Sequence, residues 1–196
     1  MMQEIVNKSV GTLAHGSLWN MAMPDHALKV SLAAALAALM FSTTPTTSFA
    51  ASAAPLGFQL FCLQQPAQCQ GGGKSKVTLT SQMLESIRRV NSQINRSIRP
   101  RNDPGPDVWT LGATSGDCED YVLSKRHALM NGGLPPSALR MAHVRTREGI
   151  DHAVLIVKTD RDDLVLDNLV GDVLPMSKVS YRILAVSSAD PMVWTP

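Results

Sequence analysis

Residues 151–168 read DHAVLIVKTDRDDLVLDN, two apolar runs separated by a short charged segment. Both runs are rich in Val, Ile and Leu, which favour β-strands, and the Asp and Arg residues between them are typical of a turn. Because the intervening segment is too short for a crossover helix, we expect an antiparallel hairpin. With the turn centred between Thr159 and Asp160, His152 lies directly opposite Asp167 on one face of the hairpin.

Two further short apolar segments flank this hairpin. They are LRMAHVRT at residues 139–146 and VSYRILAVS at residues 179–187. No segment of helix length separates any of these strands from the next. The sequence therefore predicts a four-stranded antiparallel meander.

The region before the strands predicts two helices. Within residues 79–98 apolar side chains recur every three or four positions, and Pro100 ends this pattern. A second helix is expected from Asp117 or Cys118 to Asn131, with the Asp117 side chain capping its start and a Gly-Gly pair after its end. Helices followed by antiparallel strands indicate an α+β domain.

Residues 1–50 have the order of a secretory signal peptide. A lysine precedes an apolar run over residues 30–41, and small residues lead to a cleavage site after Ala50. The apolar run is too short for a stable membrane anchor. Met21 and Met23 are alternative start positions, since the preceding residues are unusual for such a signal. We therefore expect an exported protein.

The cysteines are interpreted in the light of export. Residues 51–78 are rich in Pro, Gly and Gln and are expected to form an irregular N-terminal arm. In an oxidising compartment Cys62 and Cys69 can form a disulfide that closes a small loop in this arm. Cys118 then remains without a partner, which suggests either an intermolecular bridge or a thiol kept free for chemistry.

Composition limits the classes of partner. The chain has 196 residues, 44% of them hydrophobic, which suits one domain with one core. The net charge is +2, the basic residues are scattered, and aromatic residues make up only 5% of the chain. These values give neither a basic surface nor a set of stacking side chains, so we expect no nucleic-acid partner.

Cys118 lies in the stretch SGDCEDY, between Asp117 on one side and Glu119 and Asp120 on the other. Negative charge disfavours the thiolate that a reactive cysteine needs. The start of a helix has the opposite effect, because its unpaired N–H groups favour an anion and can hold an oxyanion. At this point two interpretations stay open: a nucleophile, or a small core residue whose acidic neighbours stabilise the helix terminus.

A cysteine nucleophile needs a base, and the base needs a partner that orients it. His127 projects from the opposite side of the predicted helix to Cys118 and cannot serve. His143 and His152 both lie on predicted strands. The expected pairing with Asp167 favours His152.

The ordered set GDCEDY, HAVL and LDN closely resembles the bacterial transglutaminase-like cysteine peptidases, the family of the LapG-type periplasmic proteases. The resemblance runs from about residue 79 to residue 186. It implies a papain-like, transglutaminase-like fold in which N-terminal helices present the cysteine to an antiparallel sheet bearing histidine and aspartate. It further implies that residues 79–196 form a cysteine endopeptidase domain with Cys118, His152 and Asp167 as its triad.

The same resemblance implies a periplasmic location, and it also implies ligands and partners. It places Ca²⁺ on Asp117, Glu119 and Asp120, where the ion would neutralise the acids beside the thiol. It implies a protein or peptide substrate, such as a surface adhesin, and an inner-membrane regulatory receptor. Two rival functions stay open: a transglutaminase-type acyltransferase that uses the same three residues, and a non-catalytic calcium-binding module in which Cys118 is inert.

Overall fold

The computed structural model describes residues 51–196, and the predicted signal peptide lies outside these described residues. The helices are α1 (Leu56–Gln64), α2 (Ser81–Ser97) and α3 (Cys118–Asn131). The strands are β1 (Ser52–Ala53), β2 (Arg99–Pro100), β3 (Ser115–Gly116), β4 (Leu139–Arg145), β5 (Asp151–Val157), β6 (Leu164–Leu166), β7 (Leu174–Pro175), β8 (Arg182–Ser187) and β9 (Val193–Thr195). Within 51–196 no helix has both the length and the apolar character needed to cross a membrane.

The main sheet has seven strands in the order β1-β9-β8-β4-β5-β6-β7, and every neighbouring pair is antiparallel. Strands β2 and β3 form a separate parallel pair. The predicted α+β fold with an antiparallel sheet is confirmed. The simple meander is wrong at its last connection, because β8 pairs with β4 rather than continuing beyond β6. Apolar alternation fixes which face of a strand is buried, but it does not fix which edge of the sheet the strand joins.

The predicted register of the β5–β6 hairpin is also wrong. Leu155 pairs with Leu166, which displaces the turn by one residue, so His152 and Asp167 do not lie directly opposite. The turn over residues 158–163 is held by side-chain hydrogen bonds of its own, which set this longer connection. Moving the turn by one residue shifts the partner of each strand residue by two positions, which keeps both side chains on the same face of the sheet. They can therefore still meet, diagonally, with Asp167 just beyond the end of β6.

The prediction of an irregular arm over residues 51–78 is wrong for much of that segment. It contains β1, α1 and a 3-10 helix at Pro66–Cys69, and β1 pairs with β9. Phe58 is fully buried and packs against Trp109 with their ring centroids 5.2 Å apart. The Pro and Gln content of this segment gave no indication that some of its apolar side chains are buried. The disulfide between Cys62 and Cys69 is present, as predicted.

Helix α3 is a central element of the fold. It packs against α2 on one side and β5 on another, and residues 119–126 are all buried. Helix α2 begins where predicted, with the Thr80 side chain accepting a hydrogen bond from the Met83 N–H, and it buries Ile87 completely. A helix enclosed in this way holds its first residue, Cys118, in a fixed position facing the sheet.

Candidate active site

Cys118 is the first residue of α3 and Asp117 is at its N-cap position, as predicted. The Asp117 side chain does not make the expected capping hydrogen bond. Its Oδ2 instead accepts a hydrogen bond from the Asp103 N–H at 3.3 Å, which joins the loop before α3 to the helix start. The thiol is half-buried.

A cleft of about 620 Å³ contains Cys118 and brings the helix start and the sheet together. Its helix side also carries Asp117 and Glu119, while His143 and His152 reach it from the sheet. The predicted nucleophile and both candidate bases thus share one cavity.

The contact predicted between His152 and Asp167 is present. His152 Nε2 lies 2.8 Å from Asp167 Oδ1, and their side chains are only 5% and 4% exposed. Burial alone would raise the pKa of Asp167, but hydrogen bonds from His152, Tyr181 and the Leu169 N–H outweigh it and hold the pKa below its ordinary value. Asp167 is therefore an ionised acceptor that leaves Nδ1 of the imidazole for another partner.

The other histidines in residues 51–196 have different surroundings. His143 Nε2 lies 3.5 Å from an Asp151 carboxylate oxygen at an exposed position. His127 contacts Gln68 Oε1 at 3.0 Å, in the disulfide loop. Neither histidine hydrogen-bonds Asp167, which distinguishes His152 as the imidazole with a buried orienting carboxylate.

The acidic neighbours of Cys118 act on its thiol as the sequence suggested. The thiol donates a hydrogen bond to Glu119 Oε2 at 3.3 Å. Burial and the negative charges of Glu119 and Asp117 raise the pKa of Cys118 to about 12, although a hydrogen bond with the Ala153 backbone opposes this shift. This electrostatic environment keeps the thiol protonated.

Three acids gather at the helix start. Asp103, Asp117 and Glu119 each offer an oxygen, and these oxygens lie within 4.8 Å of one another. Asp117 Oδ1 and Glu119 Oε1 are buried without a hydrogen-bond partner among the described residues. Burial, together with the neighbouring Asp117 carboxylate, raises the pKa of Glu119 to about 8. Two unpaired buried carboxylate oxygens beside a third acid suit a hard cation.

Asp120 lies outside this group, unlike the ligand set that the resemblance implied. Its Oδ1 accepts a hydrogen bond from the Thr110 N–H at 2.7 Å, and burial raises its pKa to about 6. Asp120 therefore ties the preceding loop to α3. Asp103 occupies the third position, and its sequence context, a Pro-rich loop, gave no indication of that role.

Sequence reasoning also missed two amide side chains of α2 and the phenol of Tyr181. Asn95 Nδ2 donates to the main-chain oxygen of Asp167 at 2.8 Å, and Asn91 Nδ2 donates to that of Gly171 at 2.9 Å. Asn91 is completely buried and follows Ile87 by one helical turn. An asparagine within the apolar stripe of α2 was the signal that could have indicated a buried partner.

The comparisons with known proteins agree with this architecture. The model of the family described as "Bacterial transglutaminase-like cysteine proteinase BTLCP" matches residues 48–196. Legionella pneumophila LapG in calcium-bound form is 24% identical, with a TM-score of 0.51 over 57% of this chain and 67% of that chain. Another LapG structure from the same organism is 25% identical, with a TM-score of 0.51 over 57% and 66%. The EGTA-treated form is 20% identical, with a TM-score of 0.52 over 74% and 87%.

Below 25% identity, such similarity shows the fold alone. The alignment to the second LapG structure spans just under two thirds of that chain. A search of curated proteins finds no match. The family match, in contrast, covers most of the sequence. The chain belongs to the bacterial transglutaminase-like cysteine proteinase family, and it is a cysteine peptidase.

Proposed function

We propose that this protein is an exported endopeptidase in which Cys118, His152 and Asp167 act as a catalytic triad. The observation that carries the proposal is the buried hydrogen bond between His152 and Asp167 in the cleft that also contains Cys118. Family membership gives the class of reaction, and this arrangement supports a role for each residue.

The geometry supports a specific role for each member of the proposed triad. Because Nε2 of His152 faces Asp167, Nδ1 is the ring nitrogen that takes the proton of Cys118 as sulfur attacks the scissile carbonyl. The same proton passes to the leaving amine as the peptide C–N bond breaks. Water then hydrolyses the thioester with His152 again acting as base. The free N–H groups at the start of α3 are the donors for the oxyanion.

The proposal includes a Ca²⁺ site formed by Asp103, Asp117 and Glu119. Carboxylate oxygens are the ligands that Ca²⁺ prefers, and two of the oxygens available here are buried and unpaired. The calcium-bound form of the LapG structure supports this choice of ion. Bound Ca²⁺ would neutralise the carboxylates that oppose ionisation of Cys118.

The proposed location is the periplasm. The predicted signal peptide and the Cys62–Cys69 disulfide support it, because disulfides persist in oxidising compartments. The proposed substrate is a surface or secreted protein, such as an adhesin, and the proposed regulator is an inner-membrane receptor. Both come from the family resemblance.

The triad is tested by peptide cleavage. The purified protein is incubated with a mixture of peptides of diverse sequence, and the products are identified by mass spectrometry. We expect wild-type cleavage, no cleavage by Cys118→Ala, and a loss of about 100-fold or more in His152→Ala, because general base catalysis contributes that much. His143→Ala is the matched control, since it alters a histidine of the same cleft that does not contact Asp167. Equal activity in His152→Ala and wild type would refute the triad, and amine incorporation without cleavage would indicate the acyltransferase.

Calcium is tested separately by calorimetric titration of the chelator-treated protein. Asp103→Asn is expected to lose binding that wild type retains, while Asp162→Asn, a change in an exposed turn, is expected to bind normally. Equal affinity for Ca²⁺ in Asp103→Asn and wild type would exclude this site.

A further inference from the structure

We propose that Tyr181 is a positioning residue, whose hydroxyl holds the Asp167 carboxylate in the orientation that presents Oδ1 to His152. The inference rests on the proposed triad and adds to it a residue that lies on a different strand connection. Tyr181 directly precedes β8, whereas Asp167 directly follows β6.

The hydrogen bonds of Asp167 are divided unequally between its two oxygens. Oδ1 accepts from His152 Nε2 at 2.8 Å and from the Leu169 N–H at 2.9 Å. Oδ2 accepts from the Tyr181 hydroxyl. Among the described residues, Tyr181 is therefore the side chain that satisfies the second oxygen of a carboxylate that is 4% exposed.

Asp167 needs such a partner because of its place in the fold. It lies beyond the last residue of β6, so no strand pairing fixes its backbone. Asn95 holds its main-chain oxygen from the helix side. The side-chain torsion that ends in a carboxylate is broad, and a hydrogen bond to each oxygen is what restricts it.

Tyr181 also contacts the base itself. Its ring meets the His152 imidazole edge-on, with centroids 6.0 Å apart and an interplanar angle of 74°. In the sheet, β4 lies between β5 and β8. Tyr181, in the connection before β8, therefore reaches across β4 to contact one residue of β5 and one that follows β6. One side chain thus restricts both members of the histidine–aspartate pair.

The expected effect of removing the hydroxyl is specific. Tyr181→Phe keeps the edge-on ring but leaves Asp167 Oδ2 buried without its side-chain donor. The carboxylate can then turn away from His152, and the imidazole loses its single tautomer. We expect kcat to fall about tenfold or more, the lower end of what a hydrogen bond to a charged group contributes. We expect KM to stay within about twofold, because Tyr181 is not among the described residues that line the cleft around Cys118.

Tyr121→Phe is the matched control. The Tyr121 hydroxyl is buried and, like that of Tyr181, donates a hydrogen bond, here to the main-chain oxygen of Ile98 at 2.7 Å, but it does not contact the pair. Both variants and wild type are compared by peptide-cleavage kinetics and by ¹⁵N NMR of the histidine tautomers, with the His152 signal assigned from His152→Ala. Tyr181→Phe should lower kcat and give a mixed tautomer for His152, whereas Tyr121→Phe should do neither.

The results separate the two proposals. Wild-type kcat and an unchanged tautomer in Tyr181→Phe would overturn the role of Tyr181, even if Asp167→Asn is inactive. Full activity in Asp167→Asn would instead refute the triad itself. If Tyr181→Phe does not fold, Tyr181 can be observed as the sole tyrosine of the Tyr121→Phe chain, by NMR of ¹³Cζ-labelled tyrosine. Asp167→Asn should then shift its signal, and an unchanged signal would overturn the inference.

Discussion

Reduction of the disulfide should destabilise the protein by an amount that its loop length sets. Cys62 and Cys69 are separated by seven positions along the chain. In the chain-entropy description, a loop of this size removes about 8 cal/mol/K from the unfolded state, or about 2.4 kcal/mol at 25 °C. For the 146 residues from 51 to 196, this corresponds to a fall in Tm of about 8 °C.

The disulfide loop also accepts hydrogen bonds from a buried side chain. The entropic value of about 2.4 kcal/mol is therefore a lower estimate of the destabilisation. The guanidinium of Arg126 on α3 is almost completely buried and donates to the main-chain oxygens of Gln68 and Gln70. Burial lowers the pKa of Arg126 to about 10. After reduction of the disulfide, the two main-chain oxygens are held less firmly against the buried guanidinium. This weakening adds to the entropic destabilisation.

The assay is urea unfolding of the Cys118→Ala protein with and without reductant. The substitution removes the remaining thiol, so no disulfide exchange can complicate the comparison. We expect a lower midpoint at nearly constant slope, while a Cys62→Ala/Cys69→Ala version should not respond to reductant. A change in the free energy of unfolding below about 1 kcal/mol would refute the reasoning, because it falls well short of the loop-entropy value.

Three further predictions follow from individual contacts. In Gly116→Ala the new Cβ would lie 1.9 Å from Asp120 Oδ2, so thermal unfolding should show a clear fall in Tm, whereas Gly105→Ala, with no heavy atom within 4 Å, should leave it unchanged; equal Tm values would contradict this. Burial lowers the pKa of Lys125 to about 7, outweighing the opposite effect of the nearby negative charge of Asp167. From pH 7 to 10 the unfolded state binds a proton that the folded state does not, so wild-type stability should rise with pH and urea unfolding of Lys125→Met should show a flatter profile; parallel profiles would contradict it. Asn95→Ala removes the 2.8 Å hydrogen bond to the main chain of that aspartate, and urea unfolding should show a loss of about 1 kcal/mol together with a lower kcat; unchanged kcat would show that this bond serves stability alone.

The local features of the site could be predicted because they depend on short-range rules. The start of α3 at Cys118 follows an acidic N-cap residue, and its end at Asn131 precedes a Gly-Gly pair. The predicted contact of His152 with Asp167 is present although the predicted register was wrong, because a displacement of two positions keeps a residue on the same face of its strand.

The features that were missed depend on chain segments far apart in sequence. Asp103 reaches the acid cluster through a loop, and Tyr181 reaches Asp167 because β8 takes the free edge of β4. Neither position has a periodicity that points to its partner. In the arm, Phe58 anchors α1 in the core although the surrounding composition is that of a loop.

The central claim is that His152 activates Cys118 for attack on a carbonyl. The most direct measurement is the rate at which a peptidyl electrophile modifies Cys118 in the presence of Ca²⁺, followed by intact mass and peptide mapping. Wild type should be modified at Cys118 at least about 100-fold faster than His152→Ala, while His143→Ala should react as wild type. Equal rates in wild type and His152→Ala would contradict the proposed triad.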